Sequence, residues 1–152
     1  MQVLVDTSVW SLVLRRNPPA RVAANLATTA AAAHEQAAAA LRDLVADGRA
    51  AMLGVIRQEL LCGIKSPQQF GQLRDALRGF VDIPLAAEDH ELAAEFFNTC
   101  RSQGVQGSNT DFLICAVASK RQLPILTTDQ DFDLYQQHLP IALWKPHVQA
   151  AL

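Results

Sequence analysis

Four carboxylates stand where an α/β fold places its chemistry. Asp6 follows directly on the apolar run Val3-Leu4-Val5, and Asp129 comes two threonines after Pro124-Ile125-Leu126. Open parallel sheets bind ligands beyond the carboxyl ends of their strands, although a lone Asp there also serves as a turn residue or helix cap. Asp111 opens an apolar helical stretch, where a negative charge also complements the helix dipole. Glu59 is the most telling. At about 100° per residue, Val55 lies at about 0°, Ile56 at about 100° and Cys62 at about 340°, with Glu59 at about 40° inside that arc and Arg57 opposite at about 200°. A core-facing carboxylate is costly unless an arginine pairs with it or a metal binds it. Asp131 and Asp133 add acid behind Asp129, or are solvated helix-start residues.

Together these residues suggest a hard-cation site. Four converging carboxylates without a counter-charge raise one another's pKa. Mg²⁺ or Mn²⁺ removes that repulsion, because both ions prefer carboxylate and water oxygens. Such an ion activates a water, orients a phosphate oxygen and stabilises a leaving oxygen, so the chemistry served is phosphodiester or phosphomonoester hydrolysis. Thr7, Ser8, Thr127 and Thr128 adjoin Asp6 and Asp129 and read as turn caps. Asn109 and Thr110 read as caps for the helix carrying Asp111. His34, His90, His138 and His147 have neither cluster nor triad spacing and read as surface residues.

The elements around these residues alternate. Val3–Val5, 50–53, 81–85, 124–126 and 141–144 read as strands, the first as a run buried on both faces. Between them, Ala-rich residues 20–40, with 12 alanines, extend as a helix through Leu41, Leu44 and Val45 to a stop at Gly48. Further helices are expected at 55–64, from Pro67 to Phe80, at 88–101, at 110–120 and around 132–138, and a polar loop at 103–109 precedes Asp111. Strands alternating with helices predict an α/β sandwich on a mainly parallel sheet of about five strands.

The chain's 152 residues predict a single domain over 1–152 with a sizeable core. With 13 Lys+Arg against 15 Asp+Glu and a net charge of −2, neither a basic nucleic-acid tail nor a disordered coil fits. Cys62, Cys100 and Cys115 lack C-x-x-C spacing, which predicts free thiols in a reducing, cytoplasmic setting. No membrane span and no signal peptide is expected, since Asp6 interrupts the first apolar run and Arg15-Arg16 follow it.

The ordered motifs resemble PIN-domain ribonucleases, specifically the VapC toxins of bacterial toxin–antitoxin pairs. The resemblance rests on Val3-Leu4-Val5-Asp6-Thr7-Ser8-Val9-Trp10, on Glu59-Leu60, on Asn109-Thr110-Asp111, and on Leu126-Thr127-Thr128-Asp129-Gln130-Asp131-Phe132. It implies a PIN-like three-layer fold and a cytoplasmic, Mg²⁺- or Mn²⁺-dependent endoribonuclease. Asp6, Glu59, Asp111 and Asp129 would be catalytic metal ligands, with Asp131, Ser8 and Thr127 assisting. It also implies a homodimer and a cognate antitoxin whose tail occupies the acidic groove. The Ala-rich segment carries too little side-chain character to transfer RNA or antitoxin specificity.

RNA would need cations near the acids, and Arg15, Arg16, Lys65, Arg101, Lys120 and Arg121 are available for that or for solvation. Trp10 and Trp144 either stack on bases or pack in the core or a dimer interface. Two other readings compete. A haloacid-dehalogenase-like, Mg²⁺-dependent phosphatase also has an Asp after its first strand, but the acid it needs two residues later is Ser8 here. A catalytically inactive PIN-like interaction module would bind a partner and cleave nothing.

Overall fold

A computed structural model describes residues 1–14 and 28–146. Its centre is β1 (Val3–Val5), three apolar residues with no exposed surface. β1 lies between β2 (Ala50–Ala51) and β3 (Ile125–Leu126), and both pairings are parallel. Five segments lie side by side as expected, but the outer two are single bridges rather than strands. Asp82 meets Met52 at one edge, and Leu143 meets Ile125 at the other. The expected strands at 81–85 and 141–144 are thus corrected to one-residue contacts. A three-residue central strand offers no longer ladder, and Pro84, Pro140 and Pro146 interrupt the edge segments.

Seven helices flank the sheet among the described residues. α1 (Thr7–Leu14) begins immediately after Asp6, whose carbonyl accepts the Val9 and Trp10 N–H groups at 3.0 and 3.3 Å. The sequence marks a polar turn with helix-capping residues at Asp6-Thr7-Ser8, and β-branched and aromatic residues such as those that follow are weak helix formers. Burial of Val9 and Trp10 decides in favour of the helix. Trp10 donates its indole N–H to the Val5 carbonyl at 3.1 Å and packs edge-on against Phe80, so it is core and not a base platform.

The Ala-rich helix is α2 (Thr28–Ala46), which packs on α1, and Gly48 (φ +68°) lies just beyond its end. The rest of that expectation, together with Arg15, Arg16 and His147, lies outside the described residues. α3 (Gly54–Leu61) and α4 (Pro67–Leu77) follow, α4 with Pro67 in its first turn and a Ser66 hydroxyl cap on the Gln69 N–H. Arg57 on α3 pairs with Asp82 at 2.7 Å and donates to the Leu77 and Phe80 carbonyls, tying α3, the end of α4 and the sheet edge together.

α5 (Ala87–Ser102) and α6 (Asn109–Arg121) form the most extensive helix pair. Every residue of α6 from Phe112 to Ala118 is buried, so its inner turns sit within the core. α7 (Asp131–Gln136) buries Phe132 and Tyr135. No helix among the described residues is long and apolar enough to cross a membrane.

Candidate active site

Strand register builds the centre of the site. Pairing of Val5 with Leu126 sets Asp6 beside Thr127 at the carboxyl ends of β1 and β3. The Asp6 N–H continues that ladder to the Leu126 carbonyl at 2.9 Å. Thr127 and Ser8 each donate a hydroxyl to Asp6 Oδ2 at 2.8 Å. The same two hydroxyl oxygens accept backbone N–H groups from the next loop, Thr127 from Asp129 at 3.0 Å and Ser8 from Thr128 at 3.2 Å. Asp129 is held in turn, since its Oδ1 accepts the Asp131 N–H at 2.9 Å. Asp111 arrives from the first turn of α6, and the Tyr135 hydroxyl of α7 donates to its Oδ2 at 2.8 Å.

Three acids share one electrostatic environment. Burial pushes the Asp6 carboxyl above its ordinary pKa, the Ser8 and Thr127 hydroxyls pull it back, and the charge on Asp129 adds to the rise. Asp111 is also raised, first by burial; the Tyr135 phenol opposes this, while the charges on Asp6 and Asp129 reinforce it. Burial and the Asp111 carboxylate push the Tyr135 phenol well above its ordinary range, so it remains a donor. Among the described residues no Lys, Arg or His forms an ion pair with Asp6, Glu59, Asp111 or Asp129.

Glu59 is where the helical wheel misleads. Its side chain is exposed rather than core-facing. Ile56 and Leu60 are fully buried, whereas Val55 is only half-buried and Cys62, at the helix end, is exposed. The inward direction therefore lies near about 120°, well away from Glu59 at about 40°. Thr7 donates its hydroxyl to Glu59 Oε1 at 2.8 Å, which moors the glutamate to the residue after Asp6. Glu59 stands at the rim, outside the coupled trio. Asp131 is exposed as well, and its backbone N–H, not its carboxylate, is what serves Asp129.

Several assisting residues are also reassigned. The N-cap of α6 is Ser108, whose Oγ accepts the Asp111 N–H at 3.1 Å, not Asn109 or Thr110. That spacing of Ser108 and Asp111 is a recognisable cap signature. Lys120 and Arg121 are committed to the buried Asp89, at 3.5 and 2.9 Å. Lys65 and Arg101 are exposed, and Trp144 is half-buried with the Arg49 guanidinium 5.3 Å above its ring. Tyr135 and Gly107 carry no signal in the sequence beyond the apolar spacing of Phe132 and Tyr135.

Among the described residues no three acid, His or Cys side chains converge into a ready coordination cluster. Mg²⁺ usually retains several waters and takes only one or two carboxylates directly. The donor set is all oxygen, partly buried and without a paired cation, and it fits a hard divalent ion.

A family model described as PIN domain matches residues 3–137. The crystal structure of FitAcB from Neisseria gonorrhoeae has a similar fold, with a TM-score of 0.68 and 19% sequence identity over 95% of this chain and 98% of that one. No curated protein matches the chain in sequence.

Proposed function

The chain belongs to the PIN-domain family, and on that premise we propose that it is a Mg²⁺- or Mn²⁺-dependent endoribonuclease acting as the toxin of a toxin–antitoxin pair. The observation that carries this reading is the trio Asp6, Asp111 and Asp129, coupled by charge beyond β1 and β3 with no cationic partner among the described residues.

A divalent ion held by these acids would lower the pKa of a water and stabilise charge on the leaving oxygen. The protein's own residues supply the rest. Ser8 and Thr127 fix the Asp6 carboxylate through one oxygen, and the Asp131 N–H orients Asp129. Glu59 at the exposed rim is the fourth acid, steadied by the Thr7 hydroxyl. Lys65 and Arg101 are exposed cations for the phosphates of an RNA. The RNA substrate, the antitoxin and the homodimer rest on the resemblance of the ordered motifs to VapC toxins. The phosphatase alternative lacks its general acid, because that position is Ser8, whose hydroxyl donates to Asp6.

Inducible expression of wild type and Asp6→Asn, with sequencing of cleaved RNA ends, tests the proposal. New ends are expected from the wild type alone, and purified protein should lose cleavage in EDTA. Full activity in EDTA or in Asp6→Asn overturns the metal-nuclease reading. Partner binding with no cleavage under any metal would favour the inactive module.

A further inference from the structure

We propose that Tyr135 is a positioning residue for Asp111, and that residue 107 is glycine to let the phenol reach it; this rests on reading Asp111 as a metal ligand.

Tyr135 has no exposed surface, and its ring is clamped between Phe112 at 5.0 Å and Phe132 at 5.1 Å between centroids. Its only hydroxyl proton goes to Asp111 Oδ2 at 2.8 Å. A buried phenol needs some acceptor, so this bond alone would show only a satisfied core tyrosine. Gly107 adds an independent observation. A Cβ there would stand 2.2 Å from the Tyr135 hydroxyl oxygen, 2.8 Å from its Cζ and 3.0 Å from Phe112 Cε2. Glycines at turns usually answer a positive φ, as Gly48, Gly63 and Gly104 do here, but Gly107 is not among the positive-φ residues. The missing side chain serves space, and the phenol fills that space.

Gly107 also precedes Ser108, the cap that holds the Asp111 N–H. One short segment therefore fixes the main chain of Asp111 through Ser108 and clears the path for the tyrosine that fixes its carboxylate. Because α7 follows directly on the loop carrying Asp129, the bond from Tyr135 joins two acid-bearing segments that are distant in sequence. Partners that orient metal ligands in this way typically account for about 10–100-fold in affinity.

The test reads metal binding rather than turnover. Free Mn²⁺ measured by electron paramagnetic resonance gives the affinity of wild type, Asp6→Asn, Tyr135→Phe and Gly107→Ala, with melting in EDTA to establish folding. Tyr135→Phe and Gly107→Ala are each expected to bind about tenfold more weakly, and their double variant little more weakly than Tyr135→Phe alone. Tyr135 is the single tyrosine of the chain, so 3-fluorotyrosine labelling gives one ¹⁹F resonance in the otherwise wild-type protein. That resonance is expected to shift on Mg²⁺ addition, and not in Asp6→Asn. If wild type binds no Mn²⁺, the metal-site reading and this proposal fall together. If wild type binds while Tyr135→Phe keeps its affinity, or the ¹⁹F resonance stays still, only the role of Tyr135 is overturned.

Discussion

Asp6 and Asp89 are both buried carboxylates, 5% and 0% exposed, and their surroundings are opposite. Asp89 accepts the Ala86 N–H at 2.8 Å and pairs with Arg121 at 2.9 Å and Lys120 at 3.5 Å. Arg121, the Ala86 N–H and the charge on Lys120 hold its carboxyl far below the ordinary range against the cost of burial. Asp6 receives side-chain hydrogen bonds from hydroxyls only, and burial raises it. A buried acid with its own cations is complete and locks α5 to α6. A buried acid with hydroxyls alone carries charge that the described protein does not cancel, and the proposed metal site rests on that difference.

The largest test of that contrast is Asp6→Asn. RNA cleavage should fall by more than about a hundredfold, beyond what losing an outer partner costs, while metal-free melting stays at or above wild type. An equal loss of fold would erase the distinction between the two acids. Asp89→Ala should do the reverse. Chemical unfolding is expected to show a loss of about 2 kcal/mol, less than for an enclosed pair because Arg121 and Lys120 still reach water. Cleavage per folded molecule should not change.

Glu59→Gln should lower cleavage by about tenfold, because it removes one charge at the rim and spares the trio of Asp6, Asp111 and Asp129. Single-turnover rates at saturating metal measure this, and a loss matching Asp6→Asn would move Glu59 into the centre. The smallest effect is in pH dependence. With its folded pKa above the ordinary 3.8, Asp6 costs the metal-free fold stability as pH rises through 3.8 to the folded value. With its folded pKa below 3.8, Asp89 contributes stability present above 3.8 and lost as pH falls through its folded value. Melting curves in EDTA should therefore place Asp6→Asn slightly above wild type at neutral pH and Asp89→Ala below it. Both differences should shrink on acidification.

The acid after a buried apolar triplet was legible because strand ends and their turns are local features. Asp6, Asp129 and the helix start at Asp111 were all readable in this way, as were the parallel layers around them. What stayed hidden depends on contacts between distant segments. Arg57 points away from the apolar arc on a wheel, yet it is the bolt between α3, α4 and the sheet edge. Glu59 was misplaced because an eight-residue helix has too few buried positions to define its own inward direction. Lys120 and Arg121 read in the sequence as cations for RNA or for solvation, and only the packing of α5 on α6 reveals Asp89 beneath them. Gly107 is intelligible only once a tyrosine 28 positions later occupies the space where its side chain would be.

The single-bridge margins of the sheet bear on assembly. Strand pairing between molecules needs an edge with a continuous row of free N–H and C=O groups. Asp82 and Leu143 offer one bridge each, with Pro84 two residues beyond the first and Pro140 and Pro146 on either side of the second. Among the described residues, neither margin offers the continuous row that templates another strand. Among the described residues, an intermolecular sheet is therefore not a route to self-association, and the acid-bearing ends of β1 and β3 stay clear of one.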